Sequence, residues 1–273
     1  MSIDCSGITF VMASRNDGYS CLSKNDENEQ RYKIEVTINS AMMSFPNSKF
    51  ILVDFCPIEG KKRLNELVSA YTNLKVVTVK PQLLIDLQNK CPNEFMNFYE
   101  FVAKHIGQFF VETDNIIFVN QDTILIDKDV QSVVNDIRDD KIVVAWKDKI
   151  DYSYMNYDIL SLYLLCNNDN HPIIKEHGAW GNGDFLGISK KLYNDIGGYA
   201  MVHQNWATDN EILWRVGLKD MITLETSGNI QITRPYSFFC LDHITDGWGR
   251  SREEQDFVKI SPEIVSRLID YVE

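Results

Sequence analysis

Polar side chains that can bind a nucleotide or a cation follow three of the apolar runs in the first half of the sequence. Ser14–Asp17 follows the first run, Asp54 follows the second and Asn120–Asp122 follows the fourth. Ligands collect at the carboxyl ends of strands in open α/β sheets. These segments would therefore meet at one edge if the strand order is of the nucleotide-binding kind. Asp and Asn also make ordinary turns, but the three segments together favour a binding site.

The segment Asn120-Gln121-Asp122 best fits a site for phosphate oxygens. It follows Asn115–Val119, a run that is apolar after its first residue and is therefore predicted to be a buried central strand. A carboxylate at such a strand end can hold Mg²⁺ or Mn²⁺, which take oxygen ligands and leave positions open for phosphate. The alternative is that Asp122 caps the following helix, although Asp127 lies closer to the predicted helix start. The sequence predicts a nucleotide site here, with Asp122 as a metal ligand.

The second half of the sequence offers candidates for binding sugars, for general base catalysis and for binding a metal ion. Asn182, Gly183 and Asp184 lie in a glycine-rich segment where the backbone can approach a ligand closely, or which is a plain turn. Asp209 begins a predicted helix, where a carboxylate can act as a general base toward a hydroxyl or merely complement the helix dipole. His243 follows an apolar strand and lies between acidic residues, which makes it a candidate metal ligand.

The elements that must position these residues alternate between short apolar runs and longer helical stretches. This alternation predicts an α/β fold with a mostly parallel sheet covered by helices. The predicted strands include Ile8–Ala13, Phe50–Val53, Leu74–Val79, Asn115–Val119, Lys141–Trp146 and Phe185–Ile188. The predicted helices include Glu29–Met43, Lys61–Ala70, a long region reaching about Val111, Asp127–Ile137, Asp209–Val216 and a C-terminal helix. Asn167–Asn182 is expected to be a loop, and Tyr152–Tyr163 a lid or an acceptor-side helix.

No repeat or linker divides the 273 residues, so one domain is expected. Its nucleotide-binding half would cover about residues 1–125, its acceptor half about 126–260, and its C-terminal helix about 261–273.

Composition excludes some classes of partner. The formal charge of −12 disfavours binding to a nucleic-acid backbone or an anionic membrane. A diphosphate ligand would then need local Arg or Lys, helix N-termini or a bridging cation. The six cysteines are scattered without metal-like spacing, which favours inert thiols in a reducing compartment. No apolar run reaches the length of a membrane span, and no secretory signal is recognisable. A cytoplasmic location, that of the host if the protein is viral, is therefore expected.

The order of the motifs resembles that of GT-A-fold glycosyltransferases over about residues 7 to 250. The sequence is similar to the glycosyltransferase-like domains of large DNA viruses and algae. The segments that carry the likeness are Arg15-Asn16-Asp17-x-Tyr19, Val53-Asp54-x-x-Pro57, Asn120-x-Asp122, Gly183-Asp184-Phe185-Leu186, Gly198-Tyr199, Asp209 and Asp242-His243. The resemblance implies a GT-A-type, Rossmann-like mixed sheet flanked by helices.

The resemblance also implies a reaction, in which a sugar moves from a nucleoside-diphosphate sugar to a hydroxyl of a carbohydrate or glycosylated acceptor. It implies Mn²⁺ or Mg²⁺ as cofactor and inversion at the anomeric carbon. The implied residues are Arg15, Asn16, Asp17, Asp54, Asn120, Gln121 and Asp122 for the nucleotide, Asn182, Gly183 and Asp184 for the sugars, and Asp122 and His243 for the cation. Asp209, as base, and Asp184 are the implied catalytic residues.

The sequence departs from the family pattern at two places. Asn120 replaces the first Asp of the Asp-x-Asp motif, so metal dependence stays open. Phe55-Cys56 replaces Trp-Asn, which alters packing near the base or ribose. Two alternatives remain, a non-catalytic nucleotide-sugar-binding module and a sugar nucleotidyltransferase. The second is less favoured because Ser14–Gly18 has only one glycine and one basic residue.

Overall fold

The computed structural model describes residues 3–17, 27–68, 71–90, 98–168, 174–180, 183–199, 208–220, 222–241 and 262–272. Within these ranges the strands are β1 (Ile8–Ser14), β2 (Lys49–Phe55), β3 (Leu74–Val79), β4 (Asn115–Val119), β5 (Thr123–Ile124), β6 (Ile142–Ile150), β7 (Ile174–Trp180), β8 (Phe185–Ser189), β9 (Leu218–Asp220), β10 (Glu225–Thr226), β11 (Ile232–Leu241) and β12 (Ile269–Val272).

The helices in the same ranges are α1 (Glu27–Ser44), α2 (Leu64–Leu67), α3 (Gln82–Lys90), α4 (Glu100–Gln108), α5 (Val130–Arg138), α6 (Ile159–Asn167), α7 (Lys190–Asp195), α8 (Thr208–Arg215) and α9 (Pro262–Leu268), with a 3-10 helix at Tyr152–Asn156. In the described part of the chain, no helix combines the length and the apolar character that crossing a membrane requires.

Ten strands form one mixed sheet in the order β12-β3-β2-β1-β4-β8-β6-β11-β5, and β7 pairs with β6 beside this path. Strands β3, β2, β1 and β4 are parallel, and β8 lies antiparallel between β4 and β6. A second sheet consists of β9 and β10. This is a mixed α/β sheet, as expected, and its carboxyl edge brings the ends of β1, β2 and β4 side by side.

Helices cover both faces of the sheet, so the strands contribute alternate side chains to two apolar layers. Phe10 and Met12 of β1 pack in one layer with residues of α1, α5 and α6. Val11 and Ala13 pack in the other layer with residues of α3, α4, α7 and α8. The predicted mixed sheet flanked by helices is therefore confirmed.

Several predicted elements are wrong. Two of the differences are strands that form by pairing within the sheet. The stretch 167–182 was expected to be a loop, but β7 lies within it and pairs with β6. The C-terminal helix ends at Leu268, and β12 follows it and pairs antiparallel with β3. Both strands are short or polar, and their backbone pairing with a neighbouring strand leaves little trace in the sequence. The helix expected over Lys61–Ala70 is only the four-residue α2.

Gly107 sets how closely α4 approaches the sheet. A Cβ atom at this position would lie 2.7 Å from Val11 Cγ1 and 2.8 Å from Val53 Cγ2. Both valines are fully buried in a core with no room to shift freely. The missing side chain therefore lets α4 lie directly on β1 and β2, which places the preceding turn of the helix, with Lys104, beside the carboxyl edge.

Gly107→Ala should destabilise the protein by about 1–3 kcal/mol through overpacking, despite the better helix propensity of alanine. Urea unfolding measures the change. Gly7→Ala is the control, because the nearest neighbour of its Cβ is Asn115 Nδ2 at 3.8 Å, and it should stay within about 0.5 kcal/mol. Equal stabilities of the two variants would show that the approach of α4 is not limiting.

Candidate active site

The three segments expected to meet do so at the carboxyl edge of the sheet. Ser14 at the end of β1 is in register with Asp54 of β2. Met12 of β1 is in register with Val119 at the end of β4, so Asn120 begins the segment that leaves the same edge. The amino end of β8 joins them, because the Asn120 N–H donates to the Asp184 carbonyl at 3.2 Å.

The loop after β1 is held by the loop after β2. Arg15 Nε donates to the Cys56 carbonyl at 3.0 Å, and Asn16 Nδ2 donates to the Lys62 carbonyl at 2.9 Å. Arg15 also lies 3.8 Å from the Asp17 carboxylate, and both side chains are nearly buried. These contacts fix the positions of Arg15 and Asn16, and their predicted contacts with a nucleotide stay predictions.

Asp54, which was expected to bind the nucleotide, is buried within the protein. Its side chain is fully buried, and Oδ2 accepts the N–H of Leu64, the first residue of α2, at 3.0 Å. Its Oδ1 has no hydrogen-bond partner among the described residues. Burial raises the pKa of Asp54 to about 6, although the Leu64 N–H, Arg63 and Arg15 favour the charged form. In this structure Asp54 therefore anchors the start of α2.

Helix α1 holds the Asn120–Asp122 segment from one face of the sheet. Gln121 Oε1 accepts hydrogen bonds from Ser14 Oγ and from Gln30 Nε2 of α1. Thr37 Oγ1 of α1 donates to the Asn120 carbonyl at 3.2 Å and accepts the Thr123 N–H at 3.0 Å. The polar face of α1 thus binds backbone groups just after β4, and the Gln121 side chain is used within the protein.

Lys104 of α4 holds the same segment from the other face. Its ammonium donates to Asn120 Oδ1 at 2.6 Å and to the Gly183 carbonyl at 2.9 Å. It also forms an ion pair with Glu100 at 2.5 Å, and the Lys104 side chain is fully buried. Burial raises the pKa of Glu100, and Lys104 opposes this shift. Two hydrogen-bond acceptors and one ion-pair partner thus surround the ammonium.

Asp184 joins Asn120 to a second lysine. Its Oδ1 accepts a hydrogen bond from Asn120 Nδ2, and its Oδ2 is paired with Lys147 of β6. Burial lowers the pKa of Lys147, but the Asp184 carboxylate outweighs burial and the net shift is upward. The lysine is therefore charged at neutral pH. A continuous polar chain runs from Glu100 through Lys104, Asn120 and Asp184 to Lys147.

Asp122 lies beside this chain, at the end of β11. Its side chain is only 4% exposed, and its carbonyl accepts the Leu241 N–H at 3.2 Å. Burial and the Asp122 carboxylate both raise the pKa of the neighbouring Cys240 thiol, so the thiol stays protonated. Attraction to the Asp122 carboxylate also adds to the upward shift of the Lys147 pKa.

Three predicted site residues are not fully described. Asn182 and His243 lie outside the described residues. Asp209 lies in the first turn of α8, as the sequence predicted, but its side chain is outside the described part of the structure. Gly183 is described, and its carbonyl is an acceptor for Lys104.

No protein-family model matches the sequence, and no curated protein sequence matches it. Among solved structures, the chain is similar to the galactosyltransferase LgtC in complex with donor and acceptor sugar analogues, at 14% identity and a TM-score of 0.37. The match covers 68% of this chain and 59% of the LgtC chain. At this TM-score the likeness decides nothing about the site, and the roles of residues rest on the geometry described above.

The Asn120 side chain does not fit a metal ligand. Its amide oxygen accepts the Lys104 ammonium, and its amide nitrogen donates to Asp184. Asp184 is in turn paired with Lys147. In the described ranges no group of three or more His, Cys, Asp or Glu side chains is arranged to hold a metal ion. Asp122 supplies the one carboxylate of the predicted segment Asn120-Gln121-Asp122.

Sequence reasoning missed Glu100, Lys104 and Lys147. A signal for Lys147 was present, because it directly follows the apolar run Lys141–Trp146 and thus meets the same criterion as Asp54 and Asn120. Lys104 gave a weaker signal, a lysine four residues after Glu100 in a helix, which usually marks a solvated pair. Its burial depends on where α4 crosses the sheet.

Asp54→Asn should change the pH dependence of stability. The folded-state pKa of Asp54, about 6 against an ordinary value of 3.8, means that the folded chain holds a proton which the unfolded chain loses between these pH values. Stability therefore falls as pH rises from about 4 to about 6, and the loss, up to about 3 kcal/mol, remains at higher pH. Asparagine keeps an oxygen for the Leu64 N–H but does not ionise.

Thermal unfolding of wild type and Asp54→Asn between pH 4 and pH 8 tests this. The melting temperature of the variant, relative to wild type, should rise across that window and then level off. A difference that stays constant with pH would mean that Asp54 ionises in the folded protein as it does in the unfolded chain.

Proposed function

We propose that this protein is a glycosyltransferase that moves a sugar from a nucleoside-diphosphate sugar to a hydroxyl of a carbohydrate or glycosylated acceptor. The observation that carries the proposal is the convergence of four segments at the carboxyl edge of a GT-A-type sheet. They are Ser14–Asp17, Asp54, Asn120–Asp122 and Gly183-Asp184, in the order that the sequence resemblance implies. Edges of this kind are where α/β folds bind nucleotides.

The nucleoside would bind at the ends of β1 and β2, in contact with the segment Arg15-Asn16-Asp17. Asp54 would support that site by anchoring α2. The diphosphate would lie beside Asn120–Asp122, whose backbone is held by α1 and by Lys104. The donor sugar would lie against Gly183, Asp184 and the neighbouring Asn182. The Tyr-rich stretch 152–163 is proposed as the acceptor wall.

The proposed reaction is an in-line displacement with inversion. The acceptor hydroxyl oxygen attacks the anomeric carbon, and the bond from that carbon to the diphosphate oxygen breaks. The diphosphate leaves with the bonding electron pair, and the Asp209 carboxylate takes the proton of the acceptor hydroxyl. General base catalysis of this kind contributes roughly 10²–10⁴-fold to a rate.

The predicted Mn²⁺ or Mg²⁺ would be held by Asp122 and His243 and would neutralise phosphate charge. Asn120 would not take part, because its oxygen is engaged by Lys104. The likeness to viral and algal domains and the cytoplasmic location also remain proposals.

A second candidate is a non-catalytic nucleotide-sugar-binding module of the same fold. The observation that favours it is Asn120, because one carboxylate of the Asp-x-Asp pair is missing and the amide is used within the protein. The two functions differ in turnover, since a binding module saturates with donor but does not release nucleoside diphosphate.

A panel of nucleoside-diphosphate sugars, tested with MnCl₂ and with EDTA, distinguishes these functions. At least one donor should raise the melting temperature, because a ligand that binds the folded state at 100 times its Kd adds about 2.7 kcal/mol to the free energy of unfolding. That donor should also release free nucleoside diphosphate slowly, through transfer to water. Stabilisation without release would support the binding module, and no stabilisation by any donor would contradict both functions.

Asp209→Asn should keep donor binding and lose transfer by roughly 10²–10⁴-fold, because the amide cannot accept the acceptor proton. Donor-induced thermal shift and product formation measure the two properties separately. Glu211→Gln is the matched control on the same helix, since Glu211 forms an ion pair with Arg215, and it should transfer at nearly the wild-type rate. Wild-type transfer by Asp209→Asn would remove Asp209 from the role of base.

A further inference from the structure

A diphosphate needs local positive charge at this site. The chain carries a formal charge of −12, and the carboxyl edge itself presents Asp54, Asp122 and Asp184. Such an edge repels an anionic ligand unless cations stand close to it. Cationic side chains that contact the segment where the diphosphate is proposed to bind are therefore the candidates for its recognition.

Two lysines contact the hydrogen-bonded pair Asn120 and Asp184. They differ in whether their ammonium groups have N–H donors available for a ligand. Lys104 is fully buried and is surrounded by Glu100, Asn120 and the Gly183 carbonyl. These three contacts and its full burial hold the ammonium in place, so Lys104 is a positioning residue. Lys147 is partly accessible, with 17% of its side chain exposed, and contacts Asp184.

The contacts of Lys147 leave donors available for a ligand. Among the residues that the structure describes, the ammonium donates to Asp184 Oδ2 alone, which leaves two of its three N–H groups for other acceptors. Its strand β6 lies between β8 and β11, and its charge also interacts with Asp122. The ammonium therefore lies beside the Asp184 carboxylate, just before β8.

On the basis of the proposed function, we propose that Lys147 binds the diphosphate of the donor directly and supplies the positive charge that a cation bridged by an Asp-x-Asp pair would supply. Binding of the nucleoside diphosphate then requires no divalent cation, and the Mn²⁺ or Mg²⁺ proposed at Asp122 and His243 is not needed for that binding step. A lysine ammonium is a compact point charge suited to phosphate oxygens.

The residues around Lys147 explain how it is held in place for this role. Lys104 fixes the oxygen of Asn120, and the Asn120 amide nitrogen fixes one oxygen of Asp184. The other oxygen of Asp184 fixes the Lys147 ammonium. An aspartate at position 120 would place a second carboxylate against Asp184, whereas asparagine donates a hydrogen bond to it. Asn120 thus fits a site that positions a lysine better than one that ligates a metal.

Isothermal titration of ADP, GDP, CDP and UDP, each in EDTA and in MnCl₂, is the first test. At least one nucleoside diphosphate should bind in EDTA, with a Kd within a factor of about 3 of its value in MnCl₂. Salt should weaken the interaction, because it depends on charge.

The second test removes the lysine without leaving a buried carboxylate unpaired. Asp184→Asn is the background for this test, because its uncharged side chain can still accept a hydrogen bond from Lys147, and its Kd for the same nucleoside diphosphate is measured as the reference. Adding Lys147→Met to Asp184→Asn should weaken that binding about 10- to 100-fold, the usual cost of a charge-assisted contact. Binding of the corresponding nucleoside, which has no phosphate, should not change.

Two further variants separate a charge contact from general damage to the fold. Lys147→Arg should retain most of the affinity for the nucleoside diphosphate. Lys191→Met removes a lysine that is likewise paired with an aspartate, Asp195, but that is 80% exposed at the start of α7, and it should bind like wild type.

The outcomes distinguish this inference from the function on which it rests. If a nucleoside diphosphate binds only with MnCl₂, or if Lys147→Met has no effect in the Asp184→Asn background, the role of Lys147 is wrong while the proposed function stands. If none of the four nucleoside diphosphates binds under either condition, the proposed function itself is contradicted.

Discussion

The candidate site depends on one buried ammonium, that of Lys104, which bridges two strands running in opposite directions. It contacts the side chain that follows β4 and the backbone that precedes β8. A buried charge is tolerable only when it is paired and hydrogen-bonded. Glu100, Asn120 and Gly183 must therefore stay where they are for the protein to fold as it does. Removal of one partner from a buried ion pair typically costs about 3–5 kcal/mol. The contacts that stabilise the buried ammonium therefore also fix the position of the Asn120 side chain.

The opposite face of the sheet contributes a second constraint of a different kind. Helix α1 directs Gln30, Thr37 and Ser40 toward the segment after β4, where an ordinary amphipathic helix would direct apolar side chains. The hydroxyls of Thr37 and Ser40 satisfy backbone N–H groups of Thr123 and Leu125. The backbone groups of an irregular segment would otherwise be buried without partners. Held from both faces, the Asn120–Asp122 segment is preorganised, which is the property that electrostatic stabilisation of a charged ligand requires.

The sequence could predict the features that depend on local patterns. It could not predict those that depend on contacts between residues distant in the sequence. The central strands β1 to β4 are apolar runs bounded by polar residues, and that local pattern located them and the acidic segments at their ends. β7 and β12 escaped prediction because they are stabilised by pairing with strands distant in the sequence. Lys104 and Lys147 escaped for the same reason. A lysine on a helix or at a strand end is usually solvated, and only the crossing of α4 over the sheet and the insertion of β8 between β4 and β6 place these two beside Asn120 and Asp184.

The same long-range contacts change the charge that a ligand meets at this edge. Glu100 is offset by Lys104, and Asp184 is offset by Lys147. Asp54 is fully buried, and with its pKa raised to about 6 it is still mostly ionised at neutral pH. Asp122 lies beside the Cys240 thiol, which stays protonated, and its charge also raises the pKa of Lys147. Paired lysines thus offset two of the four carboxylates at this edge. Because Coulomb interactions between exposed charges fade beyond about 8–10 Å in physiological salt, an incoming diphosphate is governed by this local balance. An acidic protein can therefore bind an anionic ligand here, provided that Lys147 remains the most accessible charge of the cluster.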